Sequence, residues 1–289
     1  MGENNLQKTI LVTGGGGQLG QELQQLSASY PGCHFLFTRS ELPIENYESV
    51  RTYFEERQVD VCINCAAYTA VDKAETEIDL AFMVNADAVG NLAKICNQHK
   101  TTFIHISTDY VFDGTSEIPY TEHHSISPVN KYGASKLKGE DLALNAYPSS
   151  IIIRTSWLYS AFGHNFVKTM VRLMNERQVL NVVDDQFGCP TYAADLAMVI
   201  MTIIEQPHFP GGIVNYSNDG VTNWYEFALE IKEFVHTSCL INPVPSSQYP
   251  TPARRPKYSV LDTSRIRQLL PVGIPFWKDS LHKCLALLK

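Results

Sequence analysis

The chain has 289 residues, 44% hydrophobic and 18% charged, which fits one large globular domain or two coupled ones with a substantial core. Its net charge of −7, from 23 basic and 30 acidic side chains, lacks the basic footprint of a general nucleic-acid binder. No stretch approaches the ~20 apolar residues that cross a bilayer. The opening "MGENNLQKTI" has no basic flank followed by an apolar run, so a cytoplasmic protein with no membrane partner is expected.

The first half alternates regularly. "KTILVTG" is an apolar strand ending in glycine, and "QLGQELQQLSAS" a helix with Leu19, Leu23 and Leu26 on one side. "HFLFTR" is a second strand, "YESVRTYFEERQ" a helix with Val50 and Phe54 on one side, and "VDVCINCAAY" a third strand. One long helix is predicted from Thr76 to about Lys100, then "TFIHIST" as a fourth strand, a helix from near Lys131, and "SIIIRTSWLY" as a fifth strand. Apolar strands separated by helices imply a parallel sheet covered on both faces, with right-handed crossovers: a doubly wound α/β Rossmann fold.

The second half is less regular. "NFVKTMVRLMNERQ", "TYAADLAMVIMTIIEQ" and the amphipathic "WYEFALEIKEFVHTS" are helices, and "GGIVNYSN" is a late strand. "INPVPSSQYPTPARRP", with five prolines in sixteen residues, is expected to be mostly extended loop. This asymmetry predicts a dinucleotide platform over 1–155 and 186–217, and a smaller, irregular α/β substrate-binding lobe over 156–185 and 218–289. The seven cysteines lie in apolar patterns. Cys62 and Cys65 form a C-x-x-C, but within a strand their offset puts them on opposite faces, and no second pair follows at zinc spacing. Buried, reduced thiols are expected, and no metal ligand is assigned.

"TGGGGQLG" sits between the first strand and the first helix, with Gly14, Gly17 and Gly20 at G-x-x-G-x-x-G spacing. Glycine there permits a tight turn, close approach to a pyrophosphate and close helix packing, and the helix N-terminus supplies unpaired N–H groups. About twenty residues on, Arg39 stands where an arginine accepts a 2′-phosphate, which favours NADPH; Glu41 nearby leaves NADH usable. Ala66 and Ala67, at the end of the third strand, let a flat cofactor lie close to the backbone.

The fourth strand ends in Ser107, Thr108 and Asp109, at the edge where such sheets bind ligands. The next helix carries Tyr132 and Lys136, four residues apart and so on one face. Reducing a ketone by hydride leaves a developing alkoxide, and a phenol can protonate it. A nearby ammonium would favour the phenolate, lowering the phenol pKa by ~2 to 3 units. Thr108 would hold the carbonyl oxygen. Trp157, after a strand end, offers a sugar a flat face and an N–H. Arg254 and Arg255 offer guanidinium groups to a diphosphate.

With "TGGGGQLG", "NCAA", "ISTDYVFDG" and "YGASK" the chain resembles the extended short-chain dehydrogenase/reductase family. "AYTAVDKAE", "RTSWLY", "NFVKTM", "DDQFGCPT" and "YPTPARRP" extend the likeness, over nearly the whole chain, to the branch that reduces the C4 keto group of dTDP-4-dehydro-L-rhamnose. The resemblance implies Thr108, Tyr132 and Lys136 as the catalytic set, with Lys136 also on the nicotinamide ribose. It implies cofactor contacts from Gly17, Gln18, Leu19, Ala67, Tyr68 and Thr69, and places Thr108, Asp109 and Trp157 near the sugar of a dTDP-sugar substrate. Some relatives bind a divalent metal such as Mg2+ at a homodimer contact through acidic residues. Those residues are not matched in this chain, which leaves metal and dimer open. A nucleotide-sugar dehydratase of the family carries Asp-Glu after the threonine, whereas Asp109 here precedes Tyr110. An epimerase, or a non-catalytic regulatory subunit of the kind that binds methionine adenosyltransferase, is compatible with the same motifs.

Overall fold

The computed structural model describes residues 8–288. Residues 1–7, most of the stretch read for a targeting signal, lie outside them. In chain order the elements are β1 (Lys8–Thr13), α1 (Gln18–Ser27), β2 (Cys33–Phe37), α2 (Tyr47–Glu56), β3 (Val61–Asn64), α3 (Ile78–Phe82), α4 (Ala88–His99), β4 (Thr102–Thr108), α5 (Lys131–Ala146) and β5 (Ile151–Thr155). There follow β6 (Leu158–Tyr159), α6 (Phe166–Glu176), β7 (Val179–Val183), β8 (Phe187–Gly188), β9 (Thr191–Tyr192), α7 (Ala193–Glu205), β10 (Gly212–Asn215), β11 (Thr222–Asn223), α8 (Trp224–Val235), β12 (Leu240–Val244), α9 (Ser264–Leu269) and α10 (Trp277–Ala286).

Six strands form one sheet in the order β10-β5-β4-β3-β1-β2, every neighbouring pair parallel. The strands are apolar because both faces are covered. One face carries the core of Ile10, Val12, Ile63, Ile104 and Ile153 under Leu19 and Leu23 of α1 and Leu196, Ile200 and Ile204 of α7. The other carries Leu11, Cys62, Phe103 and Ile152 under Val50 and Phe54 of α2 and Leu92 and Cys96 of α4. Cys62 and Cys65 fall in these opposite cores, and every cysteine from Cys33 to Cys284 is free. Strand order reverses between β1 and β3, so the open crevice lies at their carboxyl ends. A further core gathers Val167, Met170, Tyr192, Phe227, Ile231, Trp277 and Leu281 from α6, β9, α8 and α10. Among the described residues no helix is long and apolar enough to cross a membrane.

Several expectations need correcting. The helix expected from Thr76 begins at Ile78, and Met83–Asp87 is a π-helical turn between α3 and α4. Lys100 closes α4 in the left-handed conformation, φ 58°. The third strand stops at Asn64, where the chain turns toward the crevice. The fifth stops at Thr155, because Trp157 takes φ 47° and sends Leu158 and Tyr159 into a separate two-stranded sheet with β9. "VLNVV" after α6, assigned to no element in the sequence, is a strand, and it pairs with β12 inside the proline-rich stretch. Pro243 is tolerated there because β12 lies at the edge of a two-stranded sheet.

Candidate active site

The glycine turn explains itself sterically. Gly14 has φ +66°, and a Cβ on it would sit 2.5 Å from the Ala66 nitrogen; one on Gly20 would sit 2.6 Å from the Gly14 carbonyl oxygen. The first glycine lets β1 and the end of β3 meet, and the third lets α1 lie on the turn. Gly17 is the N-cap of α1, with no side chain bonding the helix's first N–H groups. Those groups are what a pyrophosphate needs, so the turn fits a dinucleotide.

Two hollows meet at this turn. One, of roughly 390 Å³, runs past Gly14, Gly17, Ala66, Ala67 and Tyr68 to Arg39. The other, of roughly 610 Å³, holds Gln18, Leu19, Gly20, Thr69, Thr108, Asp109, Tyr132, Lys136 and Trp157. The structure thus brings together every cofactor and catalytic residue read from the sequence, in one trough over the carboxyl ends of β1, β3 and β4. Gln18 also works as a strut: its amide donates to the Leu158 carbonyl at 3.4 Å and its oxygen accepts from Asn165 at 2.8 Å.

Tyr132 reaches the trough because α5 starts hard against the turn after β4. Asn130 caps the helix by accepting from the Gly133 N–H at 2.7 Å. A Cβ on Gly133 would lie 2.2 Å from the Tyr110 carbonyl oxygen. The Tyr110 and Tyr132 rings meet edge to face, with centroids 5.8 Å apart. Burial pushes the Tyr132 phenol up to about 12, a hydrogen bond with Thr108 opposing it and the Asp109 carboxyl adding to the rise. The lowered phenol pKa expected from the sequence is therefore not what the protein alone provides; Lys136 spends its bonds elsewhere. Its Nζ donates to the Ile106 carbonyl at 2.7 Å and lies 3.1 Å from His105 Nε2. Burial pulls Lys136 down to about 8 against the attraction of Glu140. Asp109 is raised to about 7 by burial, although Ser259 and Thr108 hydrogen bonds oppose the shift. The Thr108 hydroxyl donates to Asp109 at 3.0 Å and accepts from the Tyr110 N–H at 3.2 Å.

Beneath the trough lie residues that the motifs did not announce. The single N–H of Arg154 Nε is shared between the two Glu140 oxygens, at 3.0 and 3.2 Å, while Arg154 Nη2 donates to Glu140 at 2.6 Å and the Ser107 hydroxyl donates to it at 2.5 Å, with both charged side chains buried. Asn85, placed by the π-helical turn, accepts from the Tyr68 N–H at 2.8 Å and donates to the Tyr68 carbonyl and to Ser135. The only signal for Glu140 in the sequence is its four-residue spacing after Lys136; Asn85 carried none.

The far wall is aromatic. Trp157 stacks on Trp224 with centroids 3.6 Å apart and planes 8° from parallel, so one face of the indole is taken and its remaining edge lines the trough. Arg254 and Arg255 do not line this trough but a separate hollow of roughly 780 Å³, with Asp185, Ser246, Tyr249 and Lys257. Arg254 is exposed, whereas Arg255 donates through both terminal nitrogens to Asp72, at 2.9 and 3.0 Å, and lowers that carboxyl's pKa. Among the described residues no three His, Cys, Asp or Glu side chains cluster as a metal site would need.

Comparison with known proteins decides the family. The model for the RmlD substrate binding domain matches residues 8–289. The chain belongs to this family. It is 39% identical over 283 residues to the dTDP-4-dehydrorhamnose reductase of Aggregatibacter actinomycetemcomitans, covering 94% of this chain and 96% of that one. Among solved structures, a dTDP-4-dehydrorhamnose reductase of Clostridium acetobutylicum is similar at a TM-score of 0.92 and 40% identity, over 97% of this chain and 99% of that one. One from Bacillus anthracis, solved in complex with NADP, is similar at a TM-score of 0.93 and 37% identity, with the same coverage. The RmlD-family chain thus has the Rossmann-like fold of these reductases along nearly its whole length.

Proposed function

We propose that this protein reduces the C4 keto group of dTDP-4-dehydro-L-rhamnose with NADPH, giving dTDP-L-rhamnose. The observation that carries the reading is the meeting of Tyr132 and Thr108 with the glycine turn in one trough; relatives named for this activity support it. When bound, the dinucleotide supplies the hydride. Thr108, on the end of β4, turns its hydroxyl from Asp109 to the substrate carbonyl oxygen and holds it beside Tyr132. Tyr132, protonated throughout the neutral range, gives its proton to that oxygen as charge develops there. Asp109 sets the cost: while ionised, it opposes the phenolate that Tyr132 becomes.

We read the dinucleotide's adenosine end in the hollow of Arg39 and its nicotinamide end over Lys136, with Gly14, Gly17 and Gly20 seating the phosphates. Residues 156–185 and 218–289 form the sugar-nucleotide lobe in this reading. The edge of Trp157 meets the sugar, and Arg254 offers its guanidinium to the diphosphate. Arg255 reaches a phosphate only by giving up Asp72.

The test is direct. Purified protein mixed with NADPH and dTDP-4-dehydro-L-rhamnose should consume the reduced nicotinamide, followed by its absorbance, and yield dTDP-L-rhamnose. Folded protein that binds NADPH without turnover would instead indicate a regulatory subunit.

A further inference from the structure

His105 is a wholly buried titratable side chain, on β4 directly below Lys136, that the reaction above does not use. Both its ring nitrogens are engaged. Nδ1 lies 3.0 Å from the Asn64 amide nitrogen, and Nε2 lies 3.1 Å from Lys136 Nζ. Which nitrogen carries the proton is decided one residue further along the chain of contacts. Asn64 Oδ1 accepts from the Thr13 hydroxyl at 2.6 Å and from the Ala66 N–H at 3.2 Å. A backbone N–H can only donate, so the amide oxygen must face Ala66 and the amide nitrogen must face the ring. Asn64 therefore donates to Nδ1, which holds a lone pair. A neutral ring then carries its proton on Nε2, aimed at Lys136. Burial holds the ring neutral.

That proton needs a lone pair to meet. A neutral amine has one, and an ammonium has none. As an amine, Lys136 donates to Ile106 and accepts from His105, and each group in the row from Thr13 to Lys136 is satisfied. As an ammonium it sets N–H against N–H until the ring proton moves to Nδ1. That move requires Asn64 to turn and leaves the Ala66 N–H, beside Gly14 in the dinucleotide turn, without its acceptor.

We propose that His105 is a positioning residue for Lys136: its fixed Nε2–H favours the neutral amine in the free protein, and Lys136 takes up a proton from solvent as the dinucleotide seats. This rests on the reading that NADPH binds over Lys136. The anionic dinucleotide attracts a positive charge, its ribose hydroxyls give an ammonium new acceptors, and its phosphates can take the Ala66 N–H that Asn64 releases. The other groups around Lys136 do not replace this control. Glu140, on its own helix, is held by Arg154 and Ser107. Tyr132 is a neutral phenol, Cys65 is a thiol whose pKa burial pushes well up, and Asp109 is occupied with Thr108. Asp87, in the neighbouring π-helical turn, is exposed.

Calorimetry of NADPH binding at pH 8, in buffers of different ionisation enthalpy, reads the proton directly. Up to about half a proton should be taken up per site, as a group titrating near 8 requires. Lys136→Met should abolish the uptake. Asn64→Asp keeps an acceptor for Thr13 and Ala66 but draws the ring proton onto Nδ1, so Nε2 becomes an acceptor for an ammonium. This variant should bind NADPH with uptake near zero at pH 8. NADPH binding with no uptake by the unaltered protein, or equal uptake in the Asn64 or Lys136 variant, overturns the proposal and leaves the reductase reading standing. Failure to bind NADPH at all overturns both.

Discussion

Under Tyr132 the trough rests on side chains from β3, β4, α5 and β5, buried and bonded into two polar systems: Asn64 with His105 and Lys136, and Ser107 with Glu140 and Arg154. The opposite wall is Trp157 on Trp224, two half-buried indoles from segments far apart in the chain, held by stacking and by Gly188 pressed against one of them. The floor is rigid because a buried polar group that loses its partner costs more than the bond contributed. The wall has no such penalty and can adjust. In the proposed reaction the proton donor stands on this fixed floor, and the sugar meets the wall that can adjust.

The sharpest way to break this comparison is to remove a floor partner that touches neither hollow. Glu140→Gln leaves the Arg154 guanidinium buried without its counter-charge, while the Ser107 bond can persist. A loss of about 3–5 kcal/mol is expected in urea unfolding, the scale for breaking a buried ion pair from one side. A loss below about 1 kcal/mol would mean that the floor yields as easily as the wall. Next in size is Tyr132→Phe. It should fold, bind NADPH within a few-fold of the unaltered protein, and lose at least ~100-fold in kcat, the scale for removing a positioned general acid. Retained turnover would take Tyr132 out of the reaction and leave the floor as mere structure.

What was legible in the sequence follows the same division. The sheet, its cradle and the Tyr132–Lys136 pair were readable because one edge of a parallel sheet gathers whatever ends each strand, and four-residue spacing on a helix fixes a common face. His105 sits in the run "FIHIST" like any inward residue of a strand, and only its neighbours in space, Asn64 and Lys136, give it a part. The π-helical turn at Met83–Asp87 has no mark in a pattern whose apolar spacing continues on either side. On the wall, Trp157 was found because it follows a strand end, but its partner Trp224 belongs to the face of a later helix and was taken as part of an amphipathic pattern. Proline counting hid β12, since an edge strand needs only half its N–H groups.

The smallest expected effect tests where the floor ends. Arg39 lies just past β2, exposed, with its Cδ only 3.4 Å from where a Cβ of Gly16 would stand. It lies across the glycine turn, without a buried bond to fix it, so its contribution should depend on what it finds in the pocket. A 2′-phosphate offers a charge-assisted contact worth about 1.5 kcal/mol, and a ribose hydroxyl offers far less. Arg39→Ala should therefore weaken NADPH about tenfold, measured as Kd, and leave NADH almost unchanged, with the NADPH loss shrinking as salt is raised. Equal losses for the two dinucleotides would mean that Arg39 acts by packing on the turn, which would extend the rigid floor to the outer rim of the crevice.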